Sequence, residues 1–343
     1  PEWLEYERLV AAASPRFKAV PISERDLLTI NYTSGTTSRP KGVMITHRNA
    51  YMNVIGTLLH VPMAAATERY LWTLPMFHAN GWTFVWTVTA VGATHVCLRK
   101  VEPARIFALV NDQRITMLCA APTVLIAIAN APEELRRGVR PGVRVVTAGA
   151  APAAATIERI EGELGWDITQ VYGLTETAPF ITVCEPLPEH DTLSASERAV
   201  VKARQGVELI ASGDLRVVDE ALREVPHDGQ TLGEIVARGN VVMLGYYNDP
   251  AATDRAFDGG WFHTGDAAVV HPDGYVEIRD RIKDVIISGG ENISSIEVEG
   301  VLLRHPAVQE VAVVGLADER WGEAPHAFVV LQPGASATEE ELR

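Results

Sequence analysis

Two textures follow one another along this chain. From residue 27 to about 172, short apolar runs rich in β-branched and aromatic residues (27–30, 70–74, 94–98, 115–119, 143–147 and 168–172) alternate with stretches of helical spacing. The helical stretches include 47–59, which Thr46 can cap, 102–113 and 122–131. Strand–helix–strand alternation predicts an α/β architecture: a mostly parallel sheet with helices on both faces. In such sheets ligands bind at the carboxyl ends of the strands, where the loops at Thr33, Leu74, Thr147 and Tyr172 are expected to emerge. Past Gly206 the strands become short and closely spaced, separated by turns at Asp228-Gly229, Asp258-Gly259-Gly260 and Pro272-Asp273-Gly274. This predicts a small antiparallel, barrel-like unit ending at Arg279-Asp280-Arg281. After it come the run 285–287, a helix capped by Ser294 with Glu297 three residues on, and two strands at 311–316 and 327–331. The expected division is therefore 1–205 as part of a large α/β domain, 206–281 as its β-rich subdomain, and 282–343 as an incomplete α+β unit, with a hinge near Lys283.

Composition narrows the classes of function. The formal charge is −14, from 30 basic and 44 acidic residues, and no basic cluster appears, which argues against nucleic acid and anionic membrane surfaces as partners. The three cysteines are far apart and form no ligand pair, as expected in a reducing compartment such as the cytoplasm. The longest apolar stretch, 82–93, is broken by threonine and glycine, so no bilayer span is expected. Both ends look cut. There is no initiator methionine, residues 3–10 already read as an amphipathic helix, and a capping box from Thr338 to Glu341 starts a helix that stops at Arg343. A longer protein is the expectation.

The densest chemistry lies in Tyr32-Thr33-Ser34-Gly35-Thr36-Thr37-Ser38-Arg39-Pro40-Lys41-Gly42. Backbone N–H groups and hydroxyls in such a loop can converge on phosphate oxygens, with Lys41 as a mobile charge. The loop of P-loop NTPases is excluded, because Pro40 stands where its second glycine belongs and Gly42 where its Ser/Thr belongs. Alone, the stretch reads equally well as a surface Ser/Thr turn. Tyr172-Gly173-Leu174-Thr175-Glu176-Thr177 sets a carboxylate at the end of a buried strand. Such a group is costly unless it is paired or bound to a cation, and beside a triphosphate Glu176 is a natural oxygen ligand for Mg²⁺. In Thr147-Ala148-Gly149-Ala150-Ala151-Pro152, small side chains let the backbone approach a flat ring, or simply let a helix pack closely on a sheet. Trp261-Phe262-His263-Thr264-Gly265-Asp266 ends in a carboxylate able to accept from two ribose hydroxyls. His78, in Leu74-Pro75-Met76-Phe77-His78-Ala79-Asn80-Gly81-Trp82, is as readable as a structural histidine as it is a site residue.

Taken in order and spacing, these motifs resemble the adenylate-forming superfamily, the group of acyl-CoA synthetases, peptide-synthetase adenylation domains and luciferases. The resemblance runs from about Ser23 to Glu341. It departs at Ser38, where glycine is usual, and mildly at Ala150. What it implies is ATP-dependent activation of a carboxylic acid, as in acyl-CoA synthetases of the short- to medium-chain branch, with CoA as the acceptor and pyrophosphate and AMP as products.

 By the same resemblance, Thr33, Ser34, Gly35, Thr36, Thr37, Ser38 and Lys41 hold the phosphates. Gly149, Ala150, Ala151 and Pro152 wall the adenine pocket together with Tyr172 and Gly173, Thr175 touches the α-phosphate, and Glu176 binds Mg²⁺ with Thr33 as a second oxygen ligand. Asp266 and Arg281 fix the ribose, and Lys283 marks the hinge. Gly289 and Gly290 let the pantetheine arm of CoA pass. His78, Gly81 and Trp82 border the acyl site and the thiol's entry route, with His78 not a general base. Amino-acid-activating members carry an aspartate where His78 stands, which favours a plain carboxylic acid. The catalytic lysine of relatives is expected beyond Arg343. The alternatives are loading of a carrier protein and a non-catalytic AMP-binding module.

Overall fold

A computed structural model describes residues 4–33, 40–150, 152–318 and 320–342. Its largest sheet has seven strands in the order Thr94–Cys97, Arg69–Trp72, Met117–Ala120, Arg144–Thr147, Asp167–Gly173, Phe180–Val183 and Val207–Glu208. The first five run parallel and the last two join antiparallel. Side chains alternate between two cores. Leu118, Val145 and Ile168 face Ile106, Leu125, Ile128 and Ile157 from the helices Pro103–Asp112, Pro122–Ala129 and Ala154–Leu164. Met117, Cys119, Val146 and Val171 face the other way, onto Tyr70, Trp72, Phe84 and Phe180. A sheet covered on both sides needs apolar residues at successive positions, which is why these strands read as continuous runs. Each fully buried aliphatic side chain contributes about 1.5–3 kcal/mol, so the two layers make this sheet a firm base for the loops above it.

The strand before the hydroxyl-rich loop does not belong to that sheet, contrary to expectation. Leu27–Thr33 pairs antiparallel with Lys41–Thr46, which pairs in turn with Gly245–Tyr246, so the loop joins the two arms of a hairpin. The second arm went unread because Pro40 and Gly42 punctuate its start, yet Val43 and Ile45 are fully buried in it. Thr46 ends this arm and caps the helix His47–His60, as its sequence predicts, in a capping box with Asn49.

The β-rich stretch after Gly206 forms an open four-stranded antiparallel sheet of Asp214–Val218, Gly233–Arg238, Phe262–Val270 and Val276–Arg281; no closed barrel is formed among the described strands. It shares one core with the hairpin, where Val43 and Ile45 pack with Ile235, Phe262 and Ala268. That shared core brings Thr33 and Lys41, at the open end of the hairpin, and the Gly265 turn to one cavity. The last sheet contains Glu291–Ile293, Ile286–Ser288, Gly322–Leu331 and Val308–Asp318 in that order, with the helix Ser295–Leu302 packed on it. Ser294 caps this helix as predicted, accepting from Glu297 N at 3.1 Å, and its hydroxyl also donates to the carbonyl of Arg279. The helix near the start, Tyr6–Ala12, buries none of its residues. No helix among the described residues is long and apolar enough to cross a membrane.

Candidate active site

A cavity of about 1350 Å³ opens where the three structural layers meet. Its floor is made by the carboxyl ends of parallel strands, with Ala148 and Gly149 after Arg144–Thr147 and Gly173 to Glu176 at the end of Asp167–Gly173. One wall is the hairpin, through Thr29 to Thr33 and Lys41, and a second is the segment carrying Phe77, His78, Ala79, Asn80 and Trp82. The third comes from the antiparallel sheet, through Glu234, Phe262 to Gly265 and Arg281, with Lys283 beyond it. The cavity thus brings together Thr33, Lys41, His78, Trp82, Gly149, Gly173, Thr175, Glu176, Arg281 and Lys283 from the residues singled out in the sequence. Ser34, Gly35, Thr36, Thr37, Ser38 and Ala151 lie outside the described residues. Ala150, Pro152 and Gly81 are close in sequence to lining residues without lining the cavity themselves. Gly289 and Gly290 sit apart from it, in the turn between Ile286–Ser288 and Glu291–Ile293, where both take positive φ.

Tyr172 and Asp266 lie just behind the surface. The Tyr172 hydroxyl donates to Asp266 Oδ2 at 2.6 Å, and both residues are buried. Asp266 is paired across the strands with Arg281, whose Nε lies 3.7 Å from Oδ1. Burial pushes the Asp266 carboxyl above the usual carboxylate range; the Tyr172 bond and Arg281 pull against it, and Glu234 and Glu176 add to the rise. Burial, then the Asp266 charge and its hydrogen bond, raise Tyr172 well above an ordinary phenol, so it stays a donor.

Glu176 is held differently. It is half-buried, in the middle of the short 3-10 turn Thr175–Thr177, which Thr177 closes by accepting from Leu174 N at 2.8 Å. Its Oε1 accepts from the Tyr246 hydroxyl at 2.9 Å, and its carbonyl accepts from Met243 N at 2.8 Å. Lys41 Nζ lies 4.7 Å from the centre of the same Tyr246 ring. Among the described residues no group of three or more His, Cys, Asp or Glu converges on a metal position. Thr33, Thr175 and Glu176 all line the cavity, so a carboxylate and two hydroxyl-bearing residues are available to it. Few protein oxygens, with the remainder left to phosphates and water, is the donor set that suits Mg²⁺.

Contacts that the sequence did not reveal hold the walls in place. Glu234 accepts from Gly265 N at 2.9 Å and lies 2.7 Å from His263 Nδ1, so it braces the turn before Asp266. Asn31 Nδ2 donates to the Phe77 carbonyl at 3.2 Å, and Thr29 Oγ1 lies 3.1 Å from Asn80 Oδ1. These bonds tie the hairpin to the His78 segment. That segment turns through a left-handed run from Ala79 to Thr83. At Gly81 a Cβ would come 2.5 Å from the Trp72 ring, so the close approach of that ring requires glycine there. Tyr246, Glu234 and Asn31 carry no local signature, because each acts on a partner far away in the sequence.

Comparison with known proteins decides the family. The model of the AMP-binding enzyme family matches residues 1–247, and that of the AMP-binding enzyme C-terminal domain matches 297–343. The chain belongs to the AMP-binding enzyme family. Among relatives of this AMP-binding enzyme, acetate–CoA ligase CCL3 of Humulus lupulus is 47% identical over 342 residues, and the peroxisomal trans-cinnamate:CoA ligase of Petunia hybrida is 44% identical over 342 residues. Each alignment covers 99% of this chain and 60% of the relative, so the chain spans about three-fifths of their length. The crystal structure of ATP-bound MatB from Rhodopseudomonas palustris superposes with a TM-score of 0.84 at 28% identity, over 98% of this chain and 64% of that one. The two-domain α/β architecture is that of the adenylate-forming enzymes.

Proposed function

We propose that the whole protein is an ATP-dependent acid–thiol ligase. A carboxylate oxygen attacks the α-phosphorus of ATP, pyrophosphate leaves, and an acyl-adenylate forms. The thiolate of CoA then attacks the acyl carbon and AMP leaves. The observation that carries this reading is the meeting of Lys41, from the hairpin wall, and Glu176, from the floor, at one phenol in the cavity, with Arg281 also lining it. A cation and a half-exposed carboxylate side by side suit a nucleotide phosphate with its counter-ion, whereas neither alone suits a neutral ligand.

In this reading Lys41 and the hydroxyl-rich loop hold the leaving pyrophosphate, and Thr175 contacts the α-phosphate. Glu176, with Thr33, holds Mg²⁺, which would neutralise phosphate charge. Asp266 accepts from the ribose hydroxyls when the nucleotide meets its carboxylate, and Arg281 supports it. The chain's own work is then positioning and charge stabilisation. Gly149 borders the adenine, with Tyr172 behind it and the roles of Ala150, Ala151 and Pro152 carried by the resemblance alone; His78 and Trp82 border the acyl group, with Gly81 shaping the turn between them. We divide the chain at 205 and 281, with Lys283 as the hinge and Gly289-Gly290 on the path of the pantetheine arm. His78, standing where amino-acid activators carry aspartate, favours a plain carboxylic acid over an amino acid; a short- to medium-chain acid rests on the resemblance to that branch. Relatives named for acetate and for trans-cinnamate align almost equally well, so membership of the family does not by itself set the acid. The free cysteines Cys97, Cys119 and Cys184 support a reducing compartment, the cytoplasm. The test is acid-dependent pyrophosphate release by the whole protein across carboxylic acids of increasing length, followed by CoA-dependent AMP release. Pyrophosphate release that is independent of every acid overturns the reading.

A further inference from the structure

Tyr246 belongs to no motif discussed above, yet it touches both of the charged groups at the proposed phosphate end. Its strand pairs with the second hairpin arm, Tyr246 opposite Val43, and Tyr247 N donates to the Gly42 carbonyl at 2.7 Å. This pairing sets the ring beside Lys41, with Nζ 4.7 Å from its centre. Tyr246 N donates to Thr253 Oγ1 at 2.9 Å, which fixes the backbone from the other side. From this anchored position the hydroxyl reaches Glu176 Oε1 at 2.9 Å. Oε2 of Glu176 makes no hydrogen bond among the described residues.

We propose that Tyr246 is a positioning residue for the nucleotide and its cation: its hydroxyl holds one oxygen of Glu176 so that the other faces the metal, and its ring keeps Lys41 at the same wall. The proposal rests on reading the cavity as an ATP site. A phenol donating to a carboxylate makes a charge-assisted bond, stronger and more directional than one between neutral groups. Ring and hydroxyl have separable tasks. The plain alternative is that Tyr246 only fills the core beside Val43, Met243 and Phe262; Tyr246→Phe keeps that packing and removes only the hydroxyl.

Calorimetric titration of ATP and AMP at graded Mg²⁺ separates these readings without any turnover. In the unsubstituted protein, Mg²⁺ should tighten ATP binding. Tyr246→Phe should need about tenfold more Mg²⁺ for the same tightening, with metal-free AMP affinity unchanged within about twofold. Tyr246→Leu should also weaken metal-free ATP binding, because Lys41 loses its platform. In a Glu176→Gln background, Tyr246→Phe should have no further effect on the Mg²⁺ response, as expected for a residue that acts through Glu176. An unchanged Mg²⁺ response in Tyr246→Phe, an equal loss for AMP and ATP, or an additive loss in the double variant overturns the proposal and leaves the ATP-site reading intact. Absence of nucleotide binding by the unsubstituted protein overturns that reading, and the proposal with it.

Discussion

Two tyrosine–carboxylate pairs stand on one cavity, and they differ in depth. In Tyr172–Asp266, at 2.6 Å, both residues are buried and Arg281 is a further partner; in Tyr246–Glu176, at 2.9 Å, the tyrosine is equally buried but the carboxylate is half-exposed, with Lys41 over the ring. The buried pair is built into the fold. Its carboxyl is raised by desolvation, and its exact placement depends on a shared core of two sheets. The outer pair leaves a carboxylate oxygen toward the cavity. The same chemical pairing therefore serves two ends: a fixed acceptor whose charge is costly to the fold, and an adjustable one whose charge is open to a ligand.

Substitutions can break this contrast. Glu176→Gln should have the largest effect, lowering acid-dependent adenylation by the whole protein about 100-fold or more, while the thermal midpoint stays nearly unchanged because the residue is half-exposed. Asp266→Ala should act on both fold and ligand. AMP affinity measured by calorimetry should fall about tenfold, and stability in denaturant should fall by about 1–3 kcal/mol, since the Tyr172 hydroxyl loses its buried partner. Tyr172→Phe should be milder, costing about 1–2 kcal/mol in the same unfolding experiment. An equal loss of stability in Glu176→Gln and Asp266→Ala would erase the difference between the pairs.

The smallest effect is the dependence on pH. The folded value of Asp266 lies above its unfolded value. Its contribution to stability is therefore fully present below the ordinary carboxylate range and is lost as pH rises through the raised value. Asp266→Asn carries no charge to bury, so its thermal midpoint should gain on that of the unsubstituted protein as pH rises from about 4 to 7. Parallel midpoint curves for the two proteins would remove the buried charge from the account.

Motif and periodicity make much of this molecule legible in the sequence. The parallel strands were legible because both their faces are covered, which leaves unbroken apolar runs. The caps at Thr46 and Ser294 were legible because their partners are three residues away. The hairpin arm Lys41–Thr46 was hidden by its Pro–Gly start, and the open sheet read as barrel-like because close-set turns do not say whether a sheet closes. In the candidate site, Lys41, Glu176 and Arg281 could be named from their motifs, and all three line one cavity. Tyr172 could not be oriented from its motif, since an alternating strand leaves open whether its ring or its hydroxyl meets the cavity; here the hydroxyl turns to Asp266. Tyr246 and Glu234 were invisible for a different reason. Their partners, Glu176 for one and the Gly265 turn for the other, are brought to them by sheet pairing and not by local spacing.

The central claim is that this cavity joins a carboxylic acid to the α-phosphate of ATP. Because adenylate formation is reversible, exchange of labelled pyrophosphate into ATP by the whole protein tests it most directly. The account predicts exchange that requires both Mg²⁺ and a carboxylic acid, that needs no CoA, and that collapses in Glu176→Gln. Exchange that proceeds without any acid, or at an undiminished rate in Glu176→Gln, would contradict it.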